Sequence, residues 1–120
     1  MLHQTQMEIG SYKVLLVRGE GYTFFRTLAL LPKAADEEKV EAVFIGFHDG
    51  SVDSFGYNGG AREVYCWTPM SDFDNFYHVL QTEKPLFFEW SFEESSGRVA
   101  SFQLRSAAEP LGEGFRDVSP

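Results

Sequence analysis

LFFEWSFEESSGRVASFQLRS, residues 86–106, contains two signals that check each other. Over 86–93 the side chains alternate. Leu86, Phe88, Trp90 and Phe92 point one way, and Phe87, Glu89, Ser91 and Glu93 the other, which is the period-2 pattern of a half-buried strand. SSG at 95–97 reads as a three-residue turn ending in glycine, which pairs Glu94 with Arg98. Counting back from that pair sets Phe92 against Ala100, Trp90 against Phe102 and Phe88 against Leu104 on the apolar side. The other side receives Ser91 with Ser101, Glu89 with Gln103, and Phe87 with Arg105. Pattern and turn agree on one register, so an antiparallel hairpin is expected here.

Upstream, TPMSDFDNFYHVLQTEKP (68–85) changes period. Phe73, Phe76, Tyr77 and Leu80 fall at i, i+3, i+4 and i+7, the apolar stripe of a helix. Ser71 is the expected cap, with Asp74 at the third helical position, and Pro85 ends the run. This is the one clear helix.

Before it lie five expected strands: 12–18 (YKVLLVR), 22–31 (YTFFRTLALL), 40–48 (VEAVFIGFH), 51–57 (SVDSFGY) and 61–67 (AREVYCW). GEG at 19–21 predicts a short loop pairing Arg18 with Tyr22, hence Leu16 with Phe24 and Leu15 with Phe25. Asp49–Gly50 predicts a two-residue type I′ turn pairing His48 with Ser51. Short connections throughout imply antiparallel pairing. The expected fold is therefore α+β and β-rich: a curved antiparallel sheet of about seven short strands, in the order βββββαββ, packed on a single helix and barrel-like if it curls. A chain of 120 residues suits one domain, with 7–106 as folded core and 1–6 and 107–120 extended or frayed. Met7 offers an alternative start that would make the first six residues dispensable.

Composition narrows the function classes. Twelve Phe, five Tyr and two Trp predict an aromatic core. Net charge is −8 and the basic residues are scattered singly, so the chain lacks the patch that nucleic acid or an anionic membrane surface requires. No run approaches the ~20 apolar residues of a membrane span. MLHQTQMEIG has neither the basic region nor the apolar run of a signal peptide. The single Cys66 can form no internal disulfide, which fits a cytoplasmic, reducing compartment.

Candidate chemistry is thin. His48, Ser51 and Asp53 share a face of the 40–57 hairpin and imitate a nucleophile–base–orienter set. They sit at a hairpin tip, with no strand-to-helix elbow and no helix N-terminus to supply oxyanion donors. As a calcium loop starting at Asp49, the same stretch has Ser54 at position six and Gly60 at position twelve, where Gly and Glu belong. Asp74 and His78 stand i, i+4 on the helix but supply only two metal ligands. Glu89 and Glu93 lie on a solvated register, and Cys66 alternates in a strand as a buried thiol does. No catalytic residue, metal or cofactor is expected, and we recognise no family in these motifs.

Two readings follow. In the first the chain is a non-enzymatic interaction module, a homodimer or the binder of a protein partner. The 12–31 hairpin is apolar on both faces, so Leu15, Val17 and Phe25 are expected at an interface. In the second, the curled sheet and the helix enclose a small apolar ligand among Tyr65, Trp67, Phe76, Tyr77, Phe88, Trp90 and Phe102.

Overall fold

The computed structural model describes residues 2–17, 25–34, 40–48, 55–58 and 62–107, with backbone alone at Val17, Phe25 and 55–58. Along the chain run β1 (Leu2–Val17), β2 (Phe25–Pro32), β3 (Ala42–His48), β4 (Phe55–Asn58), β5 (Glu63–Pro69), α1 (Phe73–Thr82), β6 (Leu86–Glu93) and β7 (Arg98–Ser106). The seven strands form one closed barrel in the order β1-β2-β3-β5-β4-β7-β6. The β-rich α+β expectation holds, and the sheet curls until it closes.

The β6–β7 hairpin keeps the register read from the sequence between Phe87↔Arg105 and Ser91↔Ser101. The Ser91 and Ser101 hydroxyls meet at 2.7 Å. Gly97 adopts φ 74°, the left-handed conformation its turn requires. One pair differs. A bulge after Ser91 sets Phe92 against Val99 rather than Ala100. The extra residue turns Val99 into the core, at 1% exposed, and leaves Ala100 outside, so the larger apolar side chain is the one buried.

Sheet topology departs from the expected meander. β3 pairs with β5, not β4, and the pairing is parallel: Val43↔Val64, Phe44↔Tyr65, Ile45↔Cys66. The β3–β4 pairing expected from Asp49–Gly50 is therefore not made, because β2 and β5 occupy both edges of β3; residues 49–54 lie outside those described. β4 lies beyond β5, with Phe55↔Trp67 and Tyr57↔Tyr65. A turn signal is local and registers only the next strand, yet sequential strands are neighbours only about two-thirds of the time. Parallel neighbours need a crossover, and residues 49–62 supply it, carrying β4 on the way.

The first hairpin is also corrected. Val17 pairs with Phe25, Leu16 with Arg26 and Leu15 with Thr27, a slip of two residues from the GEG-based register; residues 18–24 lie outside those described. A slip of two preserves every residue's face. It also moves Leu30 from opposite Gly10 to opposite Tyr12, exchanging an empty partner for a ring.

β1 is much longer than expected. Residues 2–6, expected to be extended or frayed, are extended and paired: Leu2↔Glu93 through Glu8↔Phe87 join β1 to β6 and close the barrel. Farther along, the strand changes neighbour. From Ile9 onward it pairs with β2, and a bulge between Ile9 and Ser11 marks the change. Gly10 sits in that bulge. A Cβ there would lie 2.6 Å from Lys33 Cα and 3.0 Å from Lys33 N, both backbone atoms that cannot rotate away. Lys33 N–H donates to the Glu8 carbonyl at 2.9 Å, which holds the approach in place. Gly10→Ala is therefore expected to cost about 1–3 kcal/mol, the range for overpacking, measured by urea denaturation. A neutral result would mean that the bulge relaxes freely.

The helix enters differently from the capping expectation. A 3-10 turn, Met70–Asp72, precedes it and takes in Ser71, so the cap position falls to Asp72, which makes no side-chain cap hydrogen bond. Instead the Thr68 hydroxyl donates to the Asp72 carboxylate, so a buried strand threonine ties down the turn. The stripe itself is as read. Phe73 and Leu80 are buried, Phe76 and Tyr77 pack against the core, and Asp74 and His78 face water. Phe73 and Phe76 meet Phe47 of β3 at 5.1 and 5.6 Å between ring centroids. Tyr77 meets Tyr12 of β1, and Phe76 meets Phe102 of β7. Strands from around the barrel thus converge on the apolar face of one helix, whose other face is exposed. At 10 residues this helix is too short to cross a membrane, as is every helix among the described residues.

Candidate functional site

The seven residues expected to line a ligand cavity divide into two groups. Phe76, Phe88, Trp90 and Phe102 form one run of ring contacts, and Tyr77 packs on the same core against Phe73 and Tyr12. Phe88 lies 5.4 Å from Trp90 and 6.1 Å from Phe102, and Phe102 lies 6.3 Å from Phe76, centroid to centroid. These rings are in packing contact with one another. Tyr65 and Trp67 face outward, because β5 turns Val64, Cys66 and Thr68 into the core. The lumen is already occupied by Phe47, Phe73 and Phe88, so the small side chains of β5 fit inside and the large ones do not. Trp90 brings one polar atom into the interior. Its indole N–H is buried and has no hydrogen-bond partner among the described residues.

On the outside, Phe44 and Tyr65 stack at 5.4 Å, and Tyr65 stacks on Trp67 at 6.4 Å, a ladder across the parallel β3–β5 pair. The Tyr65 hydroxyl donates to the Glu63 carboxylate, and that bond, with partial burial, raises the phenol above its ordinary pKa. Two strands away, β1 exposes three consecutive apolar residues. Val14 is 41%, Leu15 39% and Leu16 66% exposed. Leu15 shares the outer face with Phe44, since Leu15 pairs with Thr27 and Thr27 with Gly46, two residues from Phe44. The side chains of Val17 and Phe25, the other interface candidates, lie outside the described residues.

β1 also has an edge that the sequence reading missed. Toward β6 it is paired only over residues 2–8, and toward β2 only from Ile9. Among the described residues nothing pairs with the edge of β1 facing away from β2 between Ser11 and Val17. Every second residue of that segment directs its N–H and C=O to this edge. Alongside is a cleft of about 700 Å³, lined by Ile9, Tyr12, Leu80 and Leu86 among others. A signal existed in the alternation of Thr5, Met7 and Ile9 against Gln4, Gln6 and Glu8, which extends the strand toward residue 2.

The structure places only some of the catalytic candidates. His48 ends β3 between Phe25 and Pro69, with the hairpin that was to bring Ser51 and Asp53 beside it replaced; those two residues, and the Asp49 loop, lie outside the described residues. Cys66 is buried and burial pushes its thiol pKa up to about 12, so the nucleophilic thiolate is scarce. Glu89 accepts hydrogen bonds from Arg105 at 2.7 Å and Gln103 at 2.6 Å. Those bonds, Arg105 first, hold its carboxyl below the usual range, the opposite of what a general acid needs. Asp74 and His78 are exposed, and no group of three His, Cys, Asp or Glu side chains converges among the described residues.

Compared with known proteins, the chain matches no family model, no curated protein and no solved structure.

Proposed function

We propose that the protein is a non-enzymatic interaction module that self-associates through the β1 side of its barrel, around Leu15. One observation carries this reading: Val14, Leu15 and Leu16 are exposed in a row, and among the described residues Leu2 is the one other large apolar side chain left exposed. Exposed apolar patches of this kind mark contact surfaces. Scattered basic residues and a net charge of −8 favour a protein partner over nucleic acid or an anionic membrane. The buried state of the only cysteine suits the reducing cytoplasm we assign to the module.

A ligand carrier is the second reading, and the Trp90 N–H is the observation that favours it, as a donor held inside an aromatic interior. The ring packing around it leaves that reading weaker.

Light scattering tests the first reading. The wild type should have the mass of a dimer at high micromolar concentration. Leu15→Glu should be monomeric with an unchanged far-ultraviolet circular dichroism spectrum, because Leu15 is exposed in the single chain. A monomeric wild type, or a Leu15→Glu protein that still dimerises, overturns the proposal.

A further inference from the structure

We infer that the partner is a second copy of this chain whose β1 pairs antiparallel with the Ser11–Val17 edge of the first, across a two-fold axis at Val14; this rests on the self-associating reading above. An unpaired strand edge is a row of donors and acceptors that only another extended backbone satisfies in full. Proteins protect such edges with charges or prolines, and Ser11–Val17 carries a single charge, Lys13, and no proline. The same segment contains no acidic residue, although the chain has 18, so two copies meet here without the repulsion they carry elsewhere.

Register follows from charge and shape. With the axis at Val14, Val14 faces its own copy, Lys13 faces Leu15, and Tyr12 faces Leu16. The two lysines stay apart, whereas an axis nearer Lys13 would set like charges side by side. Tyr12 lines the cleft between β1 and the end of α1, together with Leu80 and Leu86. Leu16 is the most exposed of the large apolar side chains among the described residues, at 66%. Pairing in this register brings the partner's Leu16 to the mouth of that cleft, so one strand supplies both the projecting group and the recess. Such self-complementarity is what a two-fold interface requires. One sheet would then run through both barrels.

Cysteine cross-linking reads the axis directly. Opposed residues of antiparallel strands have Cα atoms about 4.5–5.5 Å apart, inside the range of about 4.4–6.8 Å that a disulfide spans. Val14→Cys should form a covalent dimer under mild oxidation, while the wild type, whose one cysteine is buried, should not. Leu16→Lys should abolish dimerisation in light scattering without changing the circular dichroism spectrum. Phe44→Glu, on the outer face away from the edge, should leave the dimer intact. A wild-type dimer that Phe44→Glu dissolves, with no Val14→Cys cross-link and no effect of Leu16→Lys, overturns edge pairing but leaves self-association standing. A monomeric wild type overturns both.

Discussion

Phe47→Ala should destabilise the protein by about 3–5 kcal/mol, the range for deleting a fully buried phenylalanine. Phe47 is 0% exposed and holds the helix to the sheet, with its ring against those of Phe73 and Phe76. Its neighbours cannot collapse into the space, because β3 is fixed on both edges by β2 and β5. Most of the cavity would persist, and the cost should lie toward the upper end. Chemical denaturation followed by tryptophan fluorescence measures it. Leu16→Ala, at an exposed site, serves as the control and should stay within about 0.5 kcal/mol in dilute protein. Similar values for the two would mean that the helix is not seated on Phe47.

A chain that begins at Met7 should lose cooperative unfolding altogether. The deletion removes the pairs from Leu2↔Glu93 to Gln6↔Glu89 and leaves only Met7↔Phe88 and Glu8↔Phe87 to join β1 with β6. Each ladder hydrogen bond contributes about 0.5–1.5 kcal/mol net, and each cross-strand pair about 0.2–1 kcal/mol. Their sum approaches the whole stability of an ordinary domain, about 5–15 kcal/mol. The cut also exposes the edge of β6 beside Phe88 and Trp90, a template for aggregation. Loss of a sharp thermal transition, with binding of a hydrophobic dye at ambient temperature, is the expected result. A truncated protein that melts like the full chain would show that the β1–β6 seam contributes little.

The elements that were legible are those whose signals were local and redundant. The 86–106 hairpin was fixed twice, by its turn and by its alternation, and even there the bulge at Phe92 escaped because only burial prefers Val99 to Ala100. The helix stripe needed only spacing. The β3–β4 pairing expected from Asp49–Gly50 failed because strand order depends on what the rest of the sheet offers, and β5 offers Tyr65 to Phe44 and Val64 to Val43. Within the candidate site, Tyr65 and Trp67 were expected inside, but they lie on the face of β5 opposite buried Cys66. Their side of the barrel was decided by the volume left inside after Phe47, Phe73 and Phe88 were placed, a sum over three distant segments. The β1 edge was hidden by the polar character of residues 3–6, which lowers strand propensity without breaking the period of two.

The seam between β1 and β6 also orders events in time. Residues 2–8 pair with residues 87–93, so the first strand is synthesised about eighty to ninety residues ahead of its partner. At about 5–20 residues per second, β1 waits roughly 4–18 s on the ribosome before its closing strand exists. Topology this non-local also slows closure once the chain is complete. Throughout that interval β1 must avoid the edges of other nascent chains. Gln4, Gln6 and Glu8 alternate along its closing half, and Lys13 stands alone in its apolar half. These gatekeeping side chains guard a strand that is made early and matched late.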